Sequence, residues 1–498
     1  MDNVTVIGGG FSGLAAACYV AKAGAKVSLY EKNATIGGRA RHYTDEGFMF
    51  DMGPSWYWMP DVFERFFADF GKQVSDYYEL VQLDPGFQVF FKEGEPLTVP
   101  ANKEELYNVF EEIEPGCSAR LTAFLNDADY KYKVGMTDLV YKPGLSVTEY
   151  INYDVLKGIM GAHLFKSVSS HVRTYFKDPR LMQLMEFPIL FLGAMAKDIP
   201  ALYTLMNHAA LTQGTWYPMG GMSKIVMAME DLARSLGVEI HTSSPVNEIN
   251  VIDGKVRGIT TSDGFRKTDA VIASGDYHYV EQHMLEEQYR NYDEKYWDKK
   301  TFAPSCLIYY VGVNKKVKKL QHHNLFFDAD FEQHSKDIYK NPDWPQDPLF
   351  YVCCPSKTDD SVAPEGQENL FILIPIAPGI EDTPEMREKY FPEVVKRIEK
   401  HCSDNIAEHV VYKKSYCLKD FMQDYHAYKG NAYGLANTLR QTAILKPSLR
   451  NKKVPNLLYT GQLTVPGPGV PPALISGKLA ATEALKTLKK KPYEAVVR

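Results

Sequence analysis

The first 31 residues constrain the fold more than any other part of the chain. Residues 4–7 are all β-branched and predict a buried strand, which leads directly into GGGFSG at residues 8–13, a GxGxxG sequence. Small and apolar residues at helical spacing follow from Leu14 to Lys22, and Lys26–Glu31 is a second predicted strand that ends in an acid. This order predicts a βαβ unit that binds a dinucleotide at its glycine turn.

Each residue of the turn has a separate physical task. Gly8 allows the tight turn, Gly10 lets the backbone approach a pyrophosphate, and Gly13 allows the helix to pack closely on the strand. The phosphates then face the positive end of the helix. Glu31, 18 residues beyond Gly13, is placed to accept hydrogen bonds from an adenosine ribose.

The residues after Glu31 resemble a known signature. Glu31 is followed by five residues and then by Gly37-Gly38-Arg39. With the GxGxxG turn, this pattern resembles the FAD-binding signature of the flavoprotein superfamily that includes amine oxidases, protoporphyrinogen oxidases and carotenoid desaturases. The two glycines make a second backbone turn near the cofactor, and Arg39 can offer a fork of donors to a phosphate or to the turn itself.

The end of the chain carries a second part of the resemblance. Residues 456–461 predict a strand, and VPGPGVPP at 465–472 leads into a predicted helix from about 473 to 486. This segment resembles the C-terminal FAD motif of bacterial and fungal carotenoid desaturases, whose helix opens on the isoalloxazine. The positive end of such a helix favours the negative charge of a reduced flavin.

Central segments make the resemblance more specific. Tyr217–Met222 resembles the YPxGGM segment of the family, and the residue matching Val246 binds adenine there through its backbone. The sequence MGPSWYWMPDVFERFF at 52–67 is similar to phytoene-desaturase-like enzymes. The residues that the resemblance and the motifs assign to FAD are Gly8, Gly10, Phe11, Ser12, Gly13, Glu31, Lys32, Gly38, Arg39, Pro54, Ser55, Val246, Gly461, Gly469, Val470 and Pro471.

These motifs predict an α/β fold with two domains. A Rossmann-like FAD-binding domain takes residues 1–85, 217–290 and 445–498, and is therefore discontinuous. A substrate domain of a second sheet plus helices takes 86–216 and 291–444, with predicted strands at 307–313, 349–354, 370–376 and 410–412.

The resemblance implies an FAD-dependent carotenoid desaturase, which transfers hydride from a long isoprenoid to the flavin. The implied substrate is phytoene or a related carotene, hydroxylated or monocyclic carotenes included, and the electron acceptor is oxygen or a quinone. No catalytic acid or base is identified. Aromatic residues next to the cofactor motifs are expected to line the substrate tunnel, with Trp56, Trp58 and Tyr217 as candidates.

Two alternatives remain open at this point. One is an amine oxidase-like or protoporphyrinogen oxidase-like flavoenzyme. The other is a protein of the Rab escort and GDP-dissociation-inhibitor class, which shares the fold, binds prenylated proteins and holds no flavin. The phosphate turn of that class is degenerate, whereas the turn at residues 8–13 is intact.

Composition limits the partners and the compartment. The net charge of −6 and the pI of about 6.1 do not suggest a nucleic-acid partner. Seven scattered cysteines fit a reducing cytoplasm, the N-terminus does not resemble a signal peptide, and no CxxC or HExxH spacing suggests a metal.

A peripheral membrane contact is predicted for residues 141–216, the helical part of the substrate domain. The segment is locally basic, and its run Phe187–Ala196 is apolar but too short to span a bilayer. A solvated helical subdomain over the active site explains the same features equally well. We therefore expect a cytoplasmic protein, peripherally associated with a membrane that holds its substrate.

Overall fold

A five-stranded parallel sheet contains both strands of the predicted βαβ unit. The computed structural model describes residues 2–150, 166–438 and 440–489. Every pairing in this sheet is parallel, and Asn3–Ile7 lies at its centre. In spatial order, its strands are Leu457–Tyr459, Ala270–Ala273, Asn3–Ile7, Lys26–Tyr30 and Glu239–His241.

Two helices from opposite ends of the chain pack together beside this sheet. The N-terminal helix, Phe11–Lys22, is almost wholly buried, and Ala15, Ala16 and Ala17 have no exposed surface. The C-terminal helix, Val470–Thr487, lies against it. A Cβ atom on Gly477 would lie 2.4 Å from the Ser12 carbonyl oxygen, so the close approach requires a glycine at that position.

A seven-stranded, mostly antiparallel sheet forms the second layer. Along the strand Ser305–Val313, alternate side chains enter two different cores. Leu307 and Tyr309 pack in the core that includes Val394 of the helix Pro384–Cys402. In spatial order, the strands are Val410–Tyr416, Ser305–Val313, Glu368–Ile376, Phe350–Cys353, His323–Phe327, Phe87–Phe91 and Leu97–Val99.

Smaller elements complete the described fold. The predicted hairpin at 245–259 turns at Asp253-Gly254, where both residues have positive φ, and belongs to a three-stranded sheet. The strands of the small sheets are Val246–Ile252, Lys255–Thr261 and Gly264–Lys267, then His42–Asp45 with Phe48–Asp51, and Leu80–Gln82 with Trp216–Pro218. The remaining α-helices are Pro60–Ala68, Lys103–Ile113, Ser118–Val134, Val168–Val172, Pro179–Glu186, Leu205–Leu211, Ser223–Ser235, Tyr277–Met284, Glu294–Asp298, Phe331–Tyr339 and Leu418–Tyr425.

The predicted α/β fold class is confirmed. Strands of the parallel sheet come from all three segments assigned to the FAD-binding domain, while the domain boundaries stay a prediction. Residues 151–165 of the predicted helical part and 490–498 of the predicted FAD domain lie outside the described residues. Within the described ranges, no helix is both long and apolar enough to cross a membrane.

Candidate functional site

A cavity of about 510 Å³ is lined by residues of both large sheets. Ile7 and Tyr30 come from the parallel sheet, and Ile308 and Leu373 come from the antiparallel sheet. Glycine turns and charged side chains line one part, and apolar side chains line another. The predicted site residues on its wall are Gly8, Gly10, Phe11, Ser12, Glu31, Lys32, Gly38, Arg39, Pro54, Ser55, Trp56, Trp58, Val246, Gly461, Gly469, Val470 and Pro471.

The first glycine turn has the geometry that its sequence predicts. Gly8 has φ +100°, and its N–H donates to the Tyr30 carbonyl at 2.8 Å. Gly13 does not line the cavity. A Cβ atom there would lie 2.0 Å from the Gly8 carbonyl oxygen, so Gly13 serves the packing of helix on strand.

A second glycine turn lies directly against the first. The Gly37 N–H donates to the Gly9 carbonyl at 2.8 Å, and a Cβ atom on Gly38 would lie 3.2 Å from the Gly10 Cα. Gly38 also has positive φ, at +55°. The two turns therefore expose bare backbone to the cavity from adjacent positions, which allows a large group to approach both.

The Glu31 carboxylate is buried where the two turns meet. One oxygen accepts the Gly9 N–H at 2.8 Å, and the other accepts the Asn33 N–H at 2.9 Å. A carboxylate has about four acceptor positions, so two remain for a group in the cavity. Glu31 thus shapes the turn as well as facing the cavity.

Arg39 presents a buried guanidinium to the same part of the cavity. It donates to the Asn431 carbonyl at 3.2 Å and lies over the Tyr425 ring, 5.1 Å from the centroid. Its Nε is buried with no hydrogen-bond partner among the described residues. Burial lowers the pKa of Arg39 from its usual value, and the nearby Asp276 carboxylate partly opposes that effect. The unused donor fits an anionic group in the cavity.

The C-terminal motif approaches the first turn from the other side. Gly461 has φ +108°, and a Cβ atom there would lie 3.2 Å from the Ser12 Oγ. Gly469 has φ +116° and directly precedes the C-terminal helix, which has no side-chain cap. The helix N-terminus, with Val470 and Pro471, therefore faces the cavity with its positive end.

The apolar part of the cavity contains two of the predicted substrate aromatics. The Trp56 and Trp58 rings lie 4.9 Å apart, and Trp56 is 5.5 Å from Phe187. Leu190 and Met206 extend the same wall. Apolar side chains there favour a hydrophobic occupant.

The described side chains of the run Phe187–Ala196 do not support the predicted membrane contact of residues 141–216. Phe187, Ile189 and Ala194 are at most 4% exposed, and Phe187 and Leu190 line the cavity. Phe187 and Leu190 are therefore apolar because they form an internal wall.

The basic side chains of that region are also less available than their sequence suggests. Arg173 pairs with Glu186, and Arg180 pairs with Asp178 at 2.9 Å. His171 is buried against Asp127. Lys157 and His163, part of the same predicted basic bias, lie outside the described residues. These ion pairs weaken the electrostatic argument for a membrane contact.

Tyr217 lies away from the large cavity, contrary to its predicted place in the tunnel. Its strand pairs with Leu80–Gln82, and its hydroxyl donates to Asp359 at 3.3 Å. The ring lines a second, small cavity of about 20 Å³. Burial raises the pKa of its phenol.

Asp51 explains the YPxGGM segment and was not identified from sequence. Its carboxylate accepts the N–H groups of Met222 at 2.7 Å and Ser223 at 3.1 Å, at the start of the helix Ser223–Ser235. A Cβ atom on Gly221 would lie 2.9 Å from that carboxylate. Burial raises the pKa of Asp51 to about 7. The sequence offered one indication of this contact: Asp51 ends a strand, and a glycine pair precedes a distant helix.

Comparisons with known proteins agree in family. Residues 11–485 match the family described as flavin containing amine oxidoreductase. A carotenoid 3,4-desaturase of Haloarcula japonica is 44% identical, covering 97% of this chain and 98% of that protein. A zeta-carotene-forming phytoene desaturase of Myxococcus xanthus is 32% identical, covering 97% and 94%.

Solved structures show the same fold at much lower identity. Cyclohexylamine oxidase from Brevibacterium oxydans gives a TM-score of 0.59 at 15% identity, covering 98% of this chain and 100% of that one. At this identity the likeness concerns the fold alone.

Proposed function

The chain belongs to the flavin-containing amine oxidoreductases, and within them to the carotenoid desaturases, and from this premise we propose that it is an FAD-dependent desaturase of a long acyclic carotenoid. As a member, it is an oxidoreductase that acts on CH–CH bonds. One observation carries the proposal: a single cavity joins two bare glycine turns to an apolar wall. Such a cavity suits a dinucleotide cofactor at one part and a hydrocarbon chain at the other.

The polar part fits the adenosine and pyrophosphate of FAD. Gly10 and Gly38 line the cavity without side chains, which leaves space for phosphate oxygens close to the backbone. Glu31 has acceptor positions for ribose hydroxyls, and the buried Arg39 Nε is an unused donor for a phosphate. Val246, on the same wall, is assigned to adenine by the family resemblance.

The C-terminal helix fits the flavin ring. Bound FAD supplies the acceptor for the hydride that leaves the substrate. The N-terminus of Val470–Thr487 then places positive potential where negative charge develops, and Gly469 allows the backbone to reach the ring. The N-terminus of this helix contributes electrostatic stabilisation and positioning. It supplies no group that forms or breaks a bond.

The apolar wall fits the substrate. Trp56, Phe187 and Leu190 offer hydrocarbon and aromatic surface, which holds a polyene by burial and excludes water. His334 also lines the cavity, and both of its ring nitrogens have hydrogen-bond partners: the Pro375 carbonyl at 2.8 Å and the Leu349 N–H at 3.0 Å. It therefore adds little polarity to the chamber.

For the reaction itself, we propose formation of a 3,4 double bond in an acyclic carotenoid, a hydroxylated one included. The support is the name and the 44% identity of the Haloarcula japonica protein, against 32% for the phytoene desaturase. Phytoene stays the second candidate. Neither the amine and protoporphyrinogen oxidases nor the prenyl-protein binders gain support from these relatives.

Pigment analysis tests this proposal. The gene is expressed in three hosts that accumulate phytoene, a fully conjugated acyclic carotene, or its hydroxylated form. We expect a product two hydrogens lighter, with a red-shifted spectrum, from the second or third host. A change only in the phytoene host would refute the 3,4 assignment, and a colourless purified protein without flavin would refute the flavoenzyme proposal.

Anaerobic assays with and without a quinone then separate oxygen from quinone as the electron acceptor.

We further propose peripheral attachment to a membrane on the cytoplasmic side, through the start of the predicted segment 141–216 together with a second segment near residue 445. Val147 is 57% exposed and Leu445 is 49% exposed, with Leu145 and Ile444 beside them in the chain. Their two segments touch, because a Cβ atom on Gly144 would lie 3.5 Å from the Ala443 carbonyl oxygen. Four exposed apolar side chains on touching segments suit the interface of a bilayer.

A further inference from the structure

We propose that His322, His323 and Cys353 bind one zinc ion, at a site separate from the glycine turns. One ring nitrogen of each histidine and the Cys353 Sγ all lie within 4.8 Å of one another. All three side chains are buried. Two imidazoles and a thiolate are preferred zinc ligands, and soft sulfur disfavours calcium or magnesium.

The antiparallel sheet brings these side chains together. His323 begins the strand His323–Phe327 and is the direct cross-strand partner of Cys353, which ends the strand Phe350–Cys353. Directly paired residues project from the same face of a sheet. His322 immediately precedes the strand and adds the third group. Thirty residues separate His323 from Cys353, so no short sequence motif reveals the cluster.

One nitrogen of each imidazole already has a hydrogen-bond partner that orients the ring. The His322 Nδ1 pairs with the Thr358 hydroxyl at 2.8 Å, and the His323 Nδ1 pairs with the Tyr351 hydroxyl at 2.6 Å. The His323 ring also stacks on Trp56, 4.0 Å between centroids. Outer partners of this kind fix the tautomer and direction of metal-bound histidines.

The remaining nitrogens point to a missing ligand. The Nε2 atoms of His322 and His323 are buried and have no hydrogen-bond partner among the described residues. Buried polar atoms are rarely left unpaired, because they lose water without compensation. A single bound cation explains both unpaired nitrogens, which belong to adjacent residues and lie beside a thiol.

Space exists for a fourth ligand. The small cavity of about 20 Å³ touches His322 and Cys353, and Asp51 and Ser55 also line it. That volume is about what one water molecule needs. Three protein ligands plus one open position make a complete tetrahedral set for zinc.

The first experiment measures metal in the FAD-loaded protein. Protein purified without a chelating column is analysed for zinc by mass spectrometry, then stripped with a chelator and titrated with Zn²⁺ against a chromophoric competitor. We expect about one zinc ion per chain, and an affinity at least about tenfold lower in Cys353→Ser and His323→Asn, because even the loss of an outer partner costs about 10–100-fold. Affinity should also fall at lower pH, since the ligands must be deprotonated.

Matched variants control for damage to the fold. Cys354→Ser changes the neighbouring buried cysteine, whose Sγ lies 3.5 Å from the Ser356 hydroxyl, and His334→Asn changes a buried histidine with both nitrogens bonded. Both should keep the zinc. FAD content and melting temperature, measured for every variant, show which chains are folded.

X-ray absorption at the zinc edge gives a readout independent of any variant. We expect one sulfur near about 2.3 Å and two nitrogens near about 2.0–2.1 Å. Wild-type protein that holds no zinc and binds none at micromolar Zn²⁺ would overturn the proposal. A shell of oxygen and nitrogen without sulfur would overturn it as well. Desaturase activity enters none of these readouts, so the result is independent of the proposed function.

Discussion

The Glu31 carboxylate accepts the Gly9 N–H at 2.8 Å, so the acid that ends the second strand also holds the glycine turn that follows the first. The Asn33 N–H occupies its other oxygen at 2.9 Å. A ribose that binds Glu31 therefore binds a group whose position the turn has already fixed. Replacing this acid should affect cofactor binding in two ways at once, by losing acceptors and by releasing the turn.

Glu31→Ala should lower FAD retention while the fold persists. Hydrogen bonds to a charged group contribute about 1.5–3 kcal/mol each, so the loss of one predicts a decrease in affinity of about ten- to a hundredfold. The measurement is the ratio of flavin absorbance to protein after gel filtration. Glu248→Ala, at an exposed position, is the control. Equal flavin content in the two variants would contradict the assignment.

Gly469→Val should bind less FAD, or bind FAD with a more negative reduction potential, and lose desaturation. Gly469 has φ +116°, and a Cβ atom there would lie 3.1 Å from the Pro472 Cδ, so the backbone before the helix must move. An exposed helix N-terminus stabilises an anion by about 0.3–1 kcal/mol, and a partly buried one by up to about 2 kcal/mol.

Gly264→Val is the matched control for that variant. Gly264 also has positive φ, at +99°, but nothing lies within 4 Å of its Cβ position. It should lose stability and keep its flavin and potential. If Gly469→Val behaves in the same way, the loop shapes only the surface.

Leu190→Trp should block the substrate without removing the cofactor. Leu190 lines the apolar part of the cavity, and a larger ring there takes volume from the polyene. We expect FAD content to be unchanged and product formation to fall by about tenfold or more, which corresponds to about 1.4 kcal/mol. Met227→Trp, at a position 46% exposed, should have no such effect. Normal turnover in Leu190→Trp would place the substrate elsewhere.

The double variant Val147→Glu, Leu445→Glu should bind lipid vesicles more weakly. Both positions are exposed, and a carboxylate there opposes entry into the interface and is repelled by anionic lipid. Flotation with anionic liposomes is the measurement. Phe265→Glu, at a position 55% exposed on another sheet, is the control. Flotation that high salt abolishes and the double variant leaves intact would assign the contact to basic side chains instead.

Lys446→Met should stabilise the protein at pH 7. The Lys446 ammonium is buried without a hydrogen-bond partner among the described residues, and burial lowers its pKa to about 7. Between about pH 7 and 10.5 the unfolded chain binds the proton and the folded chain does not. Wild-type stability should therefore rise with pH across that window, and the cost at pH 7 is on the order of 3–5 kcal/mol.

In Lys446→Met this rise should disappear. The free energy of unfolding from urea titrations at pH 7 and pH 9.5 checks both statements. Lys72→Met, at an exposed lysine, should change neither value. A difference in stability between wild type and Lys446→Met that is the same at the two pH values would show that Lys446 remains charged in the fold.

The amino-acid sequence was enough to predict the parts of the site that the backbone forms. Gly8, Gly38 and Gly469 have positive φ, a backbone conformation that favours glycine whatever side chains surround it. A backbone conformation that requires glycine therefore appears in the sequence as a short local motif. The βαβ unit, the parallel sheet and the converging turns followed from it.

The roles of several side chains, in contrast, depend on how distant segments pack. Phe187 belongs to an apolar run that suggested a membrane contact, but it forms an inner wall of the cavity. Apolarity alone does not distinguish a lipid-facing surface from a core. Tyr217 neighbours a cofactor motif but lies outside the large cavity, because its strand pairs with Leu80–Gln82. Asp51 meets Met222, and His323 meets Cys353, across long stretches of chain. Which face a side chain occupies depends on its strand partners, and those contacts form only when distant segments pack together.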